Sequence, residues 1–501
     1  MASSAQESPT LKREAIGLRE VLFQSVTHMA PAAAVAFSIP AGASYAAGAL
    51  PLAVLLALIA ALFVALSIGQ LAKHMPSAGS FYTYASQGIH PLVGFLVAWA
   101  YAFAEAFIAA FLFLVFAITV SGTLNAEYGW SEDTWWIWVV LASVIVFVLG
   151  YLGITISTEA GTLMGLFEII VFGALAGWLI IEAGGDNTLS VFSTTYADAE
   201  GYVGFTGVIA AGVYSILALT GFESAAPLAE ETRDPRRTIG RAVILSALAI
   251  GAFYVLTTYA ATVYHGPGEM GTFLDLGGGD PWTALARAVW GVGWVLVFIA
   301  IINSAVANAN AGANATTRTW YAMGRIRLLP AFIASIHPRW RSPYLAVIVQ
   351  FVVALALALA LGFAYDPYTA FILMATIFTL ILISIYIIIL ISCIAYYWRF
   401  QRDEANILMH AIIPILGIAV FVPVFLTAAG IPAFRFVSTL AYPISLAGPV
   451  VGVWMVLGII YMLYLRSRHP DRLAETGRIF LDEAPDVGVG SERTGPAPER
   501  G

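Results

Sequence analysis

Four ionisable side chains lie inside long apolar stretches of the sequence: His28, Glu105, Glu168 and Glu223. A charge at the centre of a lipid bilayer is costly, so such a residue usually has a partner or a task. A carboxylate or an imidazole in this setting can carry a proton or hold a cation. These four residues are therefore the first candidates for chemistry if the stretches around them cross a membrane.

Two of the glutamates have alternative interpretations. Glu168 lies in GTLMGLFEIIVFGAL, where it can take up and release a proton, hold a sodium ion, or serve as a protonated structural group bonded to a neighbouring helix. Glu105 follows Tyr101 by four residues, so the two share a helix face. The Glu105 carboxylate suits an amine or a cationic side chain of a substrate, and the alternative is again a bond to an adjacent helix.

The other polar candidates also have a structural and a functional interpretation. Glu223 can stabilise the first turn of a helix. His28 can relay protons or act as a neutral hydrogen-bonding partner. Ser304 and Asn308 lie four residues apart in a stretch dense in polar groups. One helix face can therefore turn both towards Glu168, unless these residues only bond neighbouring helices together.

The apolar stretches have the length and composition of membrane helices. Hydrophobic residues make up 60% of the 501 residues and charged residues only 11%, too few charges for a water-soluble surface. Stretches of about twenty residues or more predict helices, because each segment in lipid must satisfy its own backbone hydrogen bonds. Twelve spans are predicted, near residues 21–47, 50–72, 92–120, 134–152, 159–182, 205–230, 239–264, 291–323, 343–363, 367–398, 408–430 and 444–466.

The loops between these spans are charged asymmetrically. If the N-terminus is placed inside, the inner loops collect nearly all Lys and Arg residues, and only Arg287 and Arg435 fall outside. The outer loops collect acids instead, among them Glu127, Asp133 and Asp280. Cytoplasmic loops of membrane proteins hold the excess of Lys and Arg. The sequence therefore predicts a multi-pass protein of the plasma membrane, of the prokaryotic inner-membrane type, with both termini cytoplasmic.

Two of the predicted spans are interrupted. Pro31 and Pro40 lie within the first, and Gly221 and Pro227 lie within the sixth. Proline removes a backbone donor and glycine loosens a helix, so backbone groups become free at membrane depth. Such groups must face protein or a water-filled cavity. Each proline alone can make a simple kink, but interruptions at matching positions of two halves indicate a transporter's binding site.

Three regions resemble the signature of one family. They are GFESAAPLAEETRDPRRTIGRAVILS, PSAGSFYTYASQGIHPLVGFLVAW and NSAVANANAGANATTRTWYAMGRIRLLP, and together they are similar to the amino acid–polyamine–organocation (APC) superfamily. The resemblance implies an all-α, LeuT-type fold with five plus five inverted helices and two additional helices. It places the repeats at about 21–182 and 205–398, within a transporter domain of residues 21–466. It also implies secondary active transport by alternating access.

The resemblance also assigns roles to residues. A tyrosine that contacts substrate matches Tyr101, an acid that takes part in gating matches Glu223, and a lysine stands near position 168 in proton-coupled relatives. The predicted substrate site contains Ala30, Pro31, Ala32, Ala33, Ala34, Tyr101, Glu105, Leu217, Ala218, Thr220 and Gly221. The predicted coupling and gating residues are His28, Glu168, Glu223, Ser304 and Asn308.

The first break departs from the family pattern. Amino acid transporters of the family usually carry a Gly-Ser-Gly-like break, whereas this chain has Ala-Pro-Ala-Ala-Ala at residues 30–34. Alanine methyl groups crowd a backbone that would otherwise wrap a substrate carboxylate. The predicted substrate is therefore an amino acid or a related small amine, with a polyamine importer and an amino acid exchanger as alternatives. The predicted coupling ion is H⁺, and Na⁺ is the alternative.

The sequence offers little support for other functional classes. The single cysteine, Cys393, allows no internal disulfide and no cysteine metal site. The chain has no HExxH motif, no GxSxG motif and no repeated filter motif, so we expect neither an enzyme nor a channel. No cofactor, metal or nucleic-acid partner is expected. Residues 1–20 are predicted to be a cytoplasmic segment, and residues 467–501 a disordered cytoplasmic tail too short for a nutrient sensor's folded domain.

Overall fold

The protein is almost entirely helical, as the sequence predicts. The computed structural model describes residues 16–77 and 79–474, without the side chains of residues 154–161. Within these residues the only strands are β1 (Asp198–Ala199) and β2 (Tyr202–Val203), which form a small antiparallel hairpin. The tail predicted to be disordered, residues 467–501, begins with helical residues, the end of the helix Ala447–Arg468 and the short helix Pro470–Ala474, and its remainder, like the first fifteen residues, lies outside the described residues.

The α-helices follow one another with short connections. Their bounds are α1 (Leu18–His28), α2 (Pro31–Ala33), α3 (Ile39–Ala41), α4 (Ala43–Ala46), α5 (Leu50–His74), α6 (Ser80–Gly88), α7 (Pro91–Tyr128), α8 (Trp135–Leu152), α9 (Ile154–Ala183), α10 (Phe205–Leu219), α11 (Pro235–His265), α12 (Pro281–Trp290), α13 (Trp294–Arg325), α14 (Tyr344–Tyr365), α15 (Pro367–Phe400), α16 (Ile413–Ala429), α17 (Ala447–Arg468) and α18 (Pro470–Ala474).

Tighter and wider helical turns join several of these helices. The 3₁₀ segments are Ala47–Ala49, Glu132–Thr134, Gly184–Asp186, Leu189–Phe192, Phe222–Glu231, Pro267–Gly278, Gly291–Gly293, Ala331–Ala334, Arg402–Glu404 and Ile444–Leu446, and the π-helical segments are Ala34–Ser38 and Leu408–Ile412.

Eleven helical segments among the described residues are long and apolar enough to cross a membrane. The first of them, Leu18–His74, is 57 residues long, far more than the roughly 20 residues that one crossing needs. Both of its ends meet the same short connection: Ile16 N–H donates to the Glu231 carbonyl, and Arg236 donates to the Lys73 carbonyl. This segment therefore crosses and returns, which gives the twelve predicted spans.

The two ends of the helical bundle carry opposite charge. We call the end with Lys73, Arg236 and Arg318 the basic face. We call the opposite end, where Glu127 forms an ion pair with Arg287 and exposed acids surround them, the acidic face. The charge asymmetry predicted from the sequence thus corresponds to two separate ends of the folded helices.

The first span is interrupted at the position that Pro31 predicted. Ala30 adopts a left-handed conformation with φ 51° and ψ 68°, which ends α1 and restarts the helix at Pro31. Proline suits this first helical position because its missing N–H would have no helical partner there. A π-helical segment, Ala34–Ser38, follows, and such wide turns are frequent at functional sites. Pro40 lies in the short α3 and does not interrupt the helical path again.

The sixth span breaks at glycine and packs on the first break. Helix α10 ends at Leu219, and Gly221, with φ 112°, leads into the 3₁₀ segment Phe222–Glu231. A Cβ atom at Gly221 would lie 2.7 Å from the carbonyl carbon of His28. The Ser25 hydroxyl also donates to the Phe222 carbonyl, at 2.8 Å. The two breaks therefore form one junction, and only glycine fits at its closest point.

Gly221→Ala is expected to disrupt this junction. The new methyl group would overlap the His28 backbone, and a non-glycine residue at such a φ costs on the order of 1–3 kcal/mol before the overlap is counted. We expect a clearly lower melting temperature of the detergent-purified protein and loss of transport. Gly177→Ala in α9 is the control, because a Cβ atom there meets nothing within 4 Å. Equal melting temperatures for the two variants would contradict the assigned contact.

Candidate functional site

A buried central cavity lies at the junction of the two broken helices. Its free volume is about 20 Å³, on the order of one water molecule, and it is lined by both breaks and by the apolar faces of α7 and α15. Its lining includes these residues of the predicted site: His28, Ala30, Ala33, Ala34, Leu217, Ala218, Thr220 and Asn308. The breaks found in the sequence therefore meet around a space inside the bundle.

The helix that restarts after the first break has its amide groups occupied. Pro31 has no N–H to offer. The Ala32 N–H donates to Oε2 of Glu168 at 3.2 Å, and the Ala33 N–H donates to Oγ of Ser304 at 3.0 Å. Glu168 and Ser304 thus both lie behind the first break rather than in the cavity lining.

Glu168 also joins three helices. Besides the Ala32 amide, its carboxylate accepts a hydrogen bond at 3.1 Å from Nδ2 of Asn303 on α13. The face of α13 that was predicted to meet Glu168 does so through Asn303 and Ser304, whereas Asn308 lies further along in the cavity. The side chain is 1% exposed, so this junction of α9, α2 and α13 is closed to bulk water.

The second break is capped in the same way. The Gly221 N–H donates to Oε2 of Glu223 at 2.9 Å, and the Tyr386 hydroxyl donates to Oε1 at 2.8 Å. Glu223 is 3% exposed. The structure therefore shows the helix-stabilising interpretation of Glu223, with a partner on α15 that the sequence did not indicate. Its gating role stays a prediction.

Two polar atoms in the cavity wall have no hydrogen-bond partner among the described residues: Nδ1 of His28 and Oδ1 of Asn308. Their side chains are 6% and 7% exposed. Buried polar atoms are nearly always hydrogen-bonded in folded proteins. A bound ligand that donates hydrogen bonds would satisfy both.

Tyr101 and Glu105 lie outside the lining of the cavity. The cavity wall formed by α7 begins one turn later, at Ile108. Glu105 is buried and accepts a hydrogen bond from Oγ1 of Thr316 at 3.4 Å, and the Tyr101 ring packs edge-on against Phe81 at 5.3 Å. In this conformation both therefore contact neighbouring helices, and their contact with substrate stays a prediction.

The remaining predicted site residues are beside the cavity without lining it: Pro31, Ala32, Gly221, Glu168, Glu223 and Ser304. Several aromatic residues of the wall were missed: Phe111, Phe371 and Phe378. Their immediate neighbours in sequence are uncharged and include no proline or glycine, so nothing next to them in the sequence singles them out.

An aromatic layer separates the cavity from the acidic face. Phe371 packs against Phe37 with ring centroids 6.1 Å apart and against Phe111 at 6.0 Å. Phe37 lines a large vestibule of about 870 Å³, whereas Phe111 and Phe371 line the cavity. One layer of rings therefore stands between the two spaces.

The vestibule is acidic. Its lining contains the exposed acids Glu132, Asp133 and Asp366, and its one lining cation among the described residues is Arg287. Arg287 forms an ion pair with Glu127 and lies over the Trp294 ring. The vestibule thus keeps an excess of negative charge, which raises the local concentration of cations.

Ion pairs lie on the opposite side. Arg318 on α13 lies 3.2 Å from Glu231, and Arg325 lies 3.3 Å from Glu230, so α13 is tied to the 3₁₀ segment of the sixth span. The side chains of Arg318 and Glu231 are only 11% and 7% exposed. These two ion pairs therefore link α13 to the sixth span beside the basic face.

No metal site is evident: the described residues contain no group of three or more His, Cys, Asp and Glu side chains that could hold a metal ion. The ionisable groups at the two breaks instead bind backbone amides and neighbouring side chains. The arrangement fits reversible binding of a small polar solute at membrane depth.

Comparison with known proteins agrees with this geometry. The chain is 27% identical over 424 residues to the low-affinity putrescine importer PlaP of Escherichia coli, covering 83% of this chain and 85% of that protein. It is 24% identical over 446 residues to the branched-chain amino acid permease BcaP of Bacillus subtilis, covering 85% and 88%. The sequence profile of the amino acid permease family matches residues 20–473. The chain therefore belongs to the amino acid permease family of membrane transporters, whose members carry amino acids or amines.

Proposed function

We propose that this protein is a proton-coupled transporter that carries its amino acid or amine substrate through the central cavity by alternating access. The observation that carries the proposal is the junction of two broken helices around a buried cavity with unpaired polar atoms. Broken helices supply binding groups at membrane depth in transporters of this type. A putrescine importer and a branched-chain amino acid permease among the relatives support either class of substrate.

The two closures on either side of the cavity are the proposed gates. The aromatic layer of Phe37, Phe111 and Phe371 separates the cavity from the vestibule, and the Arg318–Glu231 pair separates it from the basic face. We assign the basic face to the cytoplasm because Lys and Arg are retained on that side. Substrate then enters through the acidic vestibule and leaves when the ion pairs open.

Glu168 is the proposed proton carrier. Its carboxylate holds the Ala32 amide of the first span and the Asn303 amide of α13. A charged acceptor makes stronger hydrogen bonds than a neutral one. Protonation would therefore loosen the contact between the broken helix and its surroundings, which links a proton to the change of conformation.

Glu168→Gln tests this coupling. Glutamine keeps an acceptor oxygen for the Ala32 amide but cannot titrate. In proteoliposomes we expect exchange of labelled for unlabelled substrate to persist, because exchange needs no net proton movement. Accumulation driven by an imposed pH gradient should fall at least tenfold.

The matched control is Glu182→Gln on the same helix, where the acid is exposed. This variant removes the same charge from α9 and should accumulate substrate like the unmodified protein. Full accumulation by Glu168→Gln under a pH gradient would remove Glu168 from the coupling mechanism.

Glu231→Arg tests the gate at the basic face. Two arginines would then face each other in a nearly buried site, and an uncompensated buried charge destabilises by about 3–5 kcal/mol. We expect uptake to fall at least tenfold, and the double variant with Arg318→Glu to recover a large part of it by restoring the pair in reverse. Uptake into proteoliposomes is the measurement.

Arg237→Glu serves as the control for the charge change. Arg237 lies near the same face, but its pair with Asp234 is 4.0 Å long and exposed, and such pairs contribute little. Unchanged uptake by Glu231→Arg, or no recovery in the double variant, would show that the Arg318–Glu231 pair is not a gate.

A further inference from the structure

The N-terminus of a half-helix is the expected docking place for a substrate carboxylate, because its N–H groups and the helix dipole favour an anion. In the first span of this protein that place is already filled. Residues 31–41 form a continuous helical stretch, whose first amides go to Glu168 and Ser304. An incoming carboxylate would have to displace a carboxylate of the protein itself.

The second half-helix repeats the arrangement. The Gly221 amide at the start of the 3₁₀ segment donates to Glu223, whose other oxygen accepts from Tyr386. Both restarting helices therefore have a buried glutamate at their positive ends. Neither terminus presents this first amide, free, to the cavity.

The groups that face the cavity have the opposite character. The C-terminal ends of α1 and α10 both reach the cavity wall, at His28 and at Leu217. Helix C-termini carry partial negative charge and favour cations. The unpaired Oδ1 of Asn308 is an acceptor, and Nδ1 of a neutral His28 can be one. The cavity thus offers acceptors and negative potential to a donor group.

The entrance selects the same kind of solute. The excess of acids in the vestibule attracts cations and repels anions. A zwitterion with an α-carboxylate gains less from this field than an amine without one. The vestibule and the cavity therefore favour the same chemistry, although different residues form them.

We propose that the central cavity selects organic amines that lack a carboxylate, because Glu168 and Glu223 already accept the hydrogen bonds of the Ala32 and Gly221 amides that a substrate carboxylate would need. The proposal rests on the proposed function, because it requires that the cavity is the substrate site. It concerns selection among substrates and holds whether or not Glu168 also carries the proton.

Matched pairs of compounds test the selection. Leucine is compared with 3-methylbutylamine and ornithine with putrescine, since the members of each pair differ only by the carboxylate. Dissociation constants come from ligand-dependent thermal stabilisation of the purified protein, and uptake is measured in proteoliposomes. We expect the amine of at least one pair to bind at least tenfold more tightly than its amino acid.

A second arm tests the cause. Glu168→Ala frees the Ala32 amide, so leucine should bind more tightly to this variant, by about fivefold or more, while 3-methylbutylamine should not gain. Ser304→Ala frees the Ala33 amide and gives the same test if Glu168→Ala does not fold. Glu182→Ala is the control, because this acid is exposed and lies near the C-terminal end of α9, several turns of helix beyond Glu168.

The outcomes separate the two proposals. If leucine or ornithine binds as tightly as its amine and is transported, the selection is wrong and the proposed transport function stands. If no compound of either pair binds or is transported, the proposed function and the selection both fail. If amines are preferred but neither variant improves leucine binding relative to the amine, the occupied helix ends are not the cause.

Discussion

The bilayer does not hydrate a free peptide group, and the arrangement around the central cavity follows from this constraint. Two helices are interrupted at membrane depth, so each interruption exposes amides that need acceptors. The protein supplies them: Glu168 and Ser304 reach the first break from neighbouring helices, and Glu223 caps the second break from within the restarting segment itself. Each acceptor also ties a broken helix to its surroundings, through Asn303 on α13 or Tyr386 on α15. The groups that satisfy the backbone are therefore the same groups that join the broken helices to the rest of the bundle.

The proposed closures on the two sides of the cavity depend on different interactions, ring packing on one side and an ion pair on the other. In the proposed gates, aromatic rings separate the cavity from the acidic face by packing, which requires no specific polar partner. The Arg318–Glu231 pair closes the other path by charge in a nearly buried site. Separating such a pair is costly unless water or another partner replaces it. In this conformation the vestibule is accessible and the Arg318–Glu231 pair is intact, which agrees with the greater cost of separating the ion pair.

The sequence alone predicted the fold well because its strongest signals are physical constraints of the membrane. Span length, the distribution of Arg and Lys, and the proline and glycine of the breaks all follow from the lipid environment. The same constraint located Glu168, since a charge in an apolar span needs a partner. The identity of that partner could not be predicted from the sequence, because the Ala32 amide is 136 residues away in the chain. Phe371 and Tyr386 could not be singled out, because α15 is apolar throughout and only its packing against the breaks gives these rings a role.

Overall similarity does not decide the substrate. The chain is 27% identical to a putrescine importer and 24% identical to a branched-chain amino acid permease, with nearly equal coverage. Both relatives match over most of this chain, although their names give different substrates. Under the proposed selection, the two kinds of substrate are discriminated by whether a few backbone amides are free or occupied. A side-chain carboxylate that reaches a half-helix terminus from another span removes one binding place without altering the scaffold. In the proposed selection, specificity in this protein then depends on Glu168 and Ser304, which lie behind the cavity wall rather than in it.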